Sequence, residues 1–129
     1  MLTGVIVTHA GLAAALRAAA AHIAGDVTGV DVVSNDGLSA EELRVQVRAA
    51  LECAGSAGSG GSIVFTDMGG GSCATACQSL LGDFPATRLV TGVNLPMLVD
   101  FVLRRADLDS DAMVQRLLQR GVSSIQEIR

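Results

Sequence analysis

Four times along this chain a short run of β-branched and aliphatic residues ends at a polar or glycine-rich turn and gives way to a helical pattern. The runs are Leu2–Thr8, Val30–Ser34, Ser62–Thr66 and Arg88–Thr91. Strands separated by helices return to the same edge and lie parallel, and a parallel sheet is covered on both faces. The order β-α-β-α-β-α-β-α-α therefore predicts an α/β fold, a three-layer sandwich with helices on both faces of a mostly parallel sheet. In such sheets chemistry is done in the crevice outside the carboxyl ends of the strands. The first strand ends there on a histidine, in Gly4-Val5-Ile6-Val7-Thr8-His9-Ala10-Gly11.

The helices have local signals. Leu12–Ala24 is alanine- and leucine-rich and is stopped by Gly25. Ser39 and Glu42 form a capping box for a helix expected to run to about Ala54. Gly55–Ser62 reads as a flexible loop on the face opposite the site, and a helix is expected from about Cys73 to Leu81. Asn94 caps a helix with Pro96 in its first turn, where proline is tolerated. Asp109–Arg120 is amphipathic, and Val122–Ile128 has the pattern of a short C-terminal edge strand.

The 129 residues are expected to form a single domain over 1–129. Half the chain is apolar, yet no run reaches the ~18–20 uncharged residues of a membrane span. The apolar start lacks a basic leader and reads as a strand, not a signal peptide. Net charge is −4, all nine basic residues are arginine and aromatics make up 2% of the chain, which argues against nucleic acid as a partner. With no lysine, a Walker-type phosphate site and Schiff-base chemistry are excluded.

Cys53, Cys73 and Cys77 lack zinc-finger spacing and read as small buried hydrophobes in a reducing, cytoplasmic setting. Cys73 and Cys77, one helical turn apart, would meet a metal only with His9, and no further ligand is evident, so no metal is expected. His22, near the end of its helix, reads as a surface residue favoured by the macrodipole.

Three strand ends carry polar or glycine-rich residues: Thr8-His9, Asp67 with Gly69–Ser72, and Thr91–Asn94. If the first and third strands are neighbours, His9 and Asp67 face each other. A carboxylate on one ring nitrogen fixes the tautomer, leaves the other nitrogen as a directed nucleophile and stabilises the cationic ring formed on reaction. Gly69, Gly70, Gly71 and Ser72 open a helix whose free amides suit an anion, and glycine permits close approach. Nucleophilic imidazole, orienting acid and phosphate-sized nest together suggest a phosphohistidine carrier that needs no cofactor.

At these residues the chain resembles the EIIA domain of the mannose-family sugar phosphotransferase system. Gly4–Leu12 (GVIVTHAGL) is similar to its active-site histidine segment, Asp67–Ser72 (DMGGGS) to its Asp-x-x-Gly-Gly-Ser loop, and Val90–Leu98 (VTGVNLPML) to its fourth-strand signature. The resemblance implies a four-stranded parallel sheet in order 2-1-3-4. It also implies that His9 accepts phosphate from phospho-HPr and passes it to an EIIB histidine, with Asp67 bonded to the active histidine and Ser72 near the phosphoryl group. A homodimer, in some members exchanging a C-terminal strand, is implied as well. Where the family usually has proline and an aromatic residue or asparagine after Gly-Gly-Ser, this chain has Cys73-Ala74-Thr75. No EIIB segment follows before Arg129, so a separate acceptor protein is expected.

Two other functions compete. Gly69–Ala74 satisfies G-x-G-x-x-A, a dinucleotide fingerprint, but follows the third strand and lacks the acidic residue that holds a ribose. A regulatory protein would use phospho-His9 as a signal without relaying it.

Overall fold

The computed structural model of the chain describes residues 1–56 and 60–129. Four strands, β1 (Thr3–Thr8), β2 (Val30–Ser34), β3 (Ser62–Thr66) and β4 (Thr87–Thr91), form one sheet in the order β2-β1-β3-β4. Every neighbouring pair is parallel, with Val5 opposite both Asp31 and Val64, and Thr66 opposite Thr91. The helices are α1 (Leu12–Ala24), α2 (Ala40–Ser56), α3 (Ser72–Gln78), α4 (Leu95–Arg104) and α5 (Ser110–Ser123).

Side-chain alternation in the two inner strands divides the core. Ile6, Ile63 and Phe65 point to one face, where Ala13 and Ala20 of α1, Leu98 and Phe101 of α4, and Met113 and Leu117 of α5 cover them. Val5, Val7 and Val64 point to the other, against Leu43, Val47 and Leu51 of α2 and Cys73 and Cys77 of α3. All six positions of β1 are buried, as a central strand of a three-layer sandwich requires. Gly4 matters here because a Cβ would stand 3.0 Å from Phe101 Cε2. Its absence lets the Phe101 ring lie on β1 and meet Phe65 edge-on, with centroids 5.2 Å apart.

Local signals held where they were strong. Gly25 ends α1 at φ +96°, and Ser39 and Glu42 exchange side-chain-to-amide bonds of 3.1 and 3.0 Å at the start of α2. Asn94 accepts from Met97 N at 3.1 Å and donates to Gly121 O at 3.1 Å, so it caps α4 and also ties α5 to it.

Four sequence expectations need correction. The C-terminal residues form no edge strand in this chain. Helix α5 continues through Val122 to Ser123, Ile125 N bonds back to Val122 O, and Ile125 and Ile128 stay exposed with no sheet edge beside them. Helix α3 stops at Gln78, not Leu81. Leu80 is drawn into the core, and a separate 3-10 turn over Leu81–Asp83 precedes β4. Helix α2 takes in Gly55 and Ser56, and Ser62 already belongs to β3, so the expected Gly55–Ser62 loop is shorter; Ala57–Ser59 within it lie outside the described residues. Cys53 is exposed, because it falls on the outer face of α2 while Ala54 beside it turns inward.

Candidate functional site

At the carboxyl end of the sheet, β1 and β3 lie side by side and their next residues meet. His9 Nδ1 is 2.8 Å from Asp67 Oδ2, and the same oxygen accepts the His9 backbone N–H at 3.0 Å. The two bonds fix both the ring and the main chain of His9 on one carboxylate. The imidazole is 42% exposed while the Asp67 side chain is only 11% exposed, so the acid forms the floor and the ring the open surface. Burial works to raise the Asp67 carboxyl. The His9 backbone N–H, and after it the imidazole, outweigh that and hold the group below the usual carboxylate range. An ionised Asp67 here accepts a hydrogen bond from Nδ1–H, which leaves the Nε2 lone pair free.

The β1–α1 turn that aims the ring is over-determined. Ala10 has φ +51°, a left-handed conformation uncommon for a residue with a Cβ. Its carbonyl accepts from Ser34 Oγ at 2.7 Å and its N–H donates to Asn35 Oδ1 at 3.2 Å, both from the end of β2. Thr8, fully buried, accepts the Ala13 N–H through its hydroxyl at 2.7 Å and so replaces the side-chain cap that Gly11 lacks. Asn35 also reaches Ser72 Oγ at 3.4 Å, linking the histidine turn to the glycine turn.

The glycine turn lies on the Nε2 side of the ring. A Cβ on Gly71, which has φ +117°, would be 3.7 Å from His9 Cε1 and 3.9 Å from Nε2. Any side chain there would be strained and would crowd the free nitrogen. Gly69, Gly70, Gly71 and Ser72 are all exposed. Gly71 O takes the Thr75 N–H and hydroxyl, at 3.1 and 2.9 Å, as the first intrahelical acceptor of α3; the amides ahead of Thr75 are left outside the helical ladder.

Of the three polar strand ends, the structure therefore brings two together, with Thr91 beside Gly69 as the remaining wall: its Oγ1 lies 3.4 Å from where a Gly69 Cβ would be. Asn94 serves α4 and α5 instead. His22 is exposed near the end of α1. The G-x-G-x-x-A stretch follows β3, and its Gly71 lies beside the His9 ring.

Sequence reasoning missed four contributors. In the sequence Thr8 carries only the signal of a polar strand end and Ser34 and Asn35 only strand and turn signals, although Asn side chains commonly bond to backbone at turns. Cys73 is the fourth. Its Sγ lies 3.9 Å from His9 Nδ1, it is almost fully buried, and burial followed by the Asp67 charge pushes its thiol up. Cys77, pushed up to about 12 by burial and then by Cys73, faces α2.

Comparison with known proteins adds to this geometry. A family described as "PTS system fructose IIA component" matches residues 3–118. No curated protein matches. Among solved structures, phosphotransferase system component EIIA from Streptococcus agalactiae is 22% identical, superposes with TM-score 0.88 and covers 98% of this chain and 97% of that one. The mannose/sorbose specific IIA subunit from Enterococcus faecalis is 24% identical, with TM-score 0.85 and coverage of 98% and 94%. A sigma-54 interaction domain protein from the same organism has the same fold at 13% identity, TM-score 0.81, covering 95% and 92%.

Proposed function

The chain belongs to the fructose IIA component family of the phosphotransferase system, a phosphocarrier family of sugar uptake, and from that membership we propose that His9 carries the phosphoryl group on Nε2. The family's place in the system implies HPr as donor and EIIB as acceptor. The observation that carries the assignment is the 2.8 Å bond from Nδ1 to Asp67, which commits one ring nitrogen and turns the other toward Gly71.

The transfer follows from these positions. The Nε2 lone pair attacks phosphorus in line, the P–Nε2 bond forms, and the P–N bond to the donor imidazole breaks with its electron pair leaving on that ring. His9 becomes an N-phosphoimidazolium whose Nδ1–H remains on Asp67, so the new positive charge is met by a carboxylate already in place. Gly69, Gly70, Gly71 and Ser72 offer main-chain N–H groups to the phosphoryl oxygens without a side chain in the way. Helix α3 has only seven residues, so these local amides matter more than its dipole. The second transfer is the reverse chemistry toward an EIIB imidazole.

We read residues 1–129 as one IIA domain working in the cytoplasm. No helix among the described residues is long and apolar enough to cross a membrane. Self-association fits the exposed Val122, Ile125 and Ile128 at the C-terminal end, which would cover apolar surface on a second copy.

A relay and a signalling protein differ in what happens next. Phosphorylated protein, freed of donor and mixed with a mannose-family EIIB, is expected to lose its label to EIIB within the mixing time of a manual assay. Label that stays on this chain while EIIB accepts from its own IIA domain would overturn the relay and favour regulation by phospho-His9.

A further inference from the structure

We propose that His9, Asp67 and Cys73 form a binding site for a divalent cation of the zinc type, and that the cation arrests phosphoryl acceptance. Nδ1, a carboxylate oxygen and Sγ all lie within 4.8 Å of one another, and among the described residues they are the group of three with metal-ligating atoms in one place. Zinc bonds to nitrogen and oxygen at about 2.0–2.2 Å and to sulfur at about 2.3 Å, so one ion between these donors needs separations of roughly 3–4.4 Å. The 3.9 Å from Sγ to Nδ1 falls inside that range, and the 2.8 Å from Nδ1 to Oδ2 is the hydrogen bond the ion would replace.

A second observation points the same way. Asp67 Oδ2 already takes two bonds from His9, while Oδ1 is buried without any hydrogen-bond partner among the described residues. A buried carboxylate oxygen with unused lone pairs is costly, and a cation beside it is one way to satisfy it. The mixed N, O, S donor set suits zinc better than magnesium or calcium, which take oxygen ligands. Two anionic ligands and one neutral imidazole balance a dication. Solvent reaches the ion through the half-exposed ring, which leaves an outer position for water.

The arrest follows from proton accounting. With no ion bound, Nδ1 holds the ring proton and Nε2 holds the lone pair that attacks phosphorus. A cation on Nδ1 takes the lone pair of that atom, so the ring proton must move to Nε2, and the nucleophile is gone. The Cys73 thiol releases its proton to solvent as the sulfur–metal bond forms. The site itself stands without the phosphocarrier reading; only the arrest rests on it.

Cobalt(II) alone, added to the whole reduced chain, separates the two. One equivalent is expected to raise a thiolate-to-cobalt charge-transfer absorption that zinc displaces. The absorption is expected to persist in Cys53→Ala and Cys77→Ala and to vanish in Cys73→Ala and in His9→Ala. The half-exposed His9 position keeps the test valid even where loss of the buried Cys73 sulfur disturbs the fold. Zinc affinity in Cys73→Ala should fall by about 100-fold or more, since even outer partners of metal ligands are worth about 10–100-fold. Zinc should stop acceptance of phosphate from phospho-HPr in the wild type, and removing the zinc with a chelator should restore it. No absorption in the wild type, or an absorption that survives Cys73→Ala, overturns the site. Absorption as expected with zinc failing to slow the wild type overturns the arrest alone.

Discussion

His9→Ala is expected to accept no phosphate when incubated with enzyme I, HPr and phosphoenolpyruvate, while melting within a few degrees of the wild type. The reacting atom is deleted, so no residual path through the same site remains. The fold should survive because the ring is 42% exposed and its polar contacts among the described residues are the Nδ1 bond to Asp67 and the long approach of Cys73 Sγ. The main-chain bond from His9 N to Asp67 Oδ2 is still available to alanine. Intact mass before and after incubation reads the result. A variant that still gains phosphate would move the site elsewhere, with His22 on α1 as the remaining histidine.

Asp67→Asn separates orientation from structure. Both bonds from His9 fall on Oδ2, so an amide nitrogen at that place donates to Nδ1 but leaves the His9 backbone N–H without its acceptor, while an amide oxygen there keeps both bonds and buries the NH2 unpaired. Donation to Nδ1 selects the tautomer with its proton on Nε2, which is the wrong one for attack. The variant also loses the carboxylate that meets the positive charge of the phosphorylated ring. A comparable acid-to-amide change behind a catalytic imidazole costs about 10⁴-fold in a serine protease. Transfer is therefore expected to slow by roughly 10²–10⁴-fold, with global stability lowered by only about 1–3 kcal/mol for the polar group left unpaired. Rapid-quench phosphorylation beside urea denaturation checks both halves. Wild-type transfer rates in Asp67→Asn would remove the acid from the mechanism.

What could be read from the chain, and what could not, divides by distance along it. Glycine at the end of α1, the Ser39–Glu42 box and the Asn94 cap act over a few residues, and each appears as expected. The βα alternation gave the parallel sheet, and the pairing of β1 with β3 then put His9 against Asp67 across 58 residues. The rest of the site has no local signature. Ser34 and Asn35 hold the Ala10 turn from 24 and 25 residues away, and Cys73 reaches Nδ1 from 64 residues away. Nothing in the letters distinguishes Cys73, which faces the ring, from Cys77, which faces α2. Their separation arises only when α3 is laid on the sheet. The tail failed as a strand for a related reason. A strand needs an edge to pair with, and Val122 instead continued the helix that packs Leu117 and Gly121 inward.

The two-bond grip of Asp67 on His9 is what assigns the nucleophile, so the ring nitrogen that bears phosphorus is the most direct measurement. Long-range proton–nitrogen correlation on ¹⁵N-histidine protein, phosphorylated through enzyme I and HPr, resolves phosphorus coupling to each ring nitrogen. Coupling to Nε2 of His9, with Nδ1 still protonated, is the expected result. Coupling to Nδ1, or phosphate on any other residue, would contradict it.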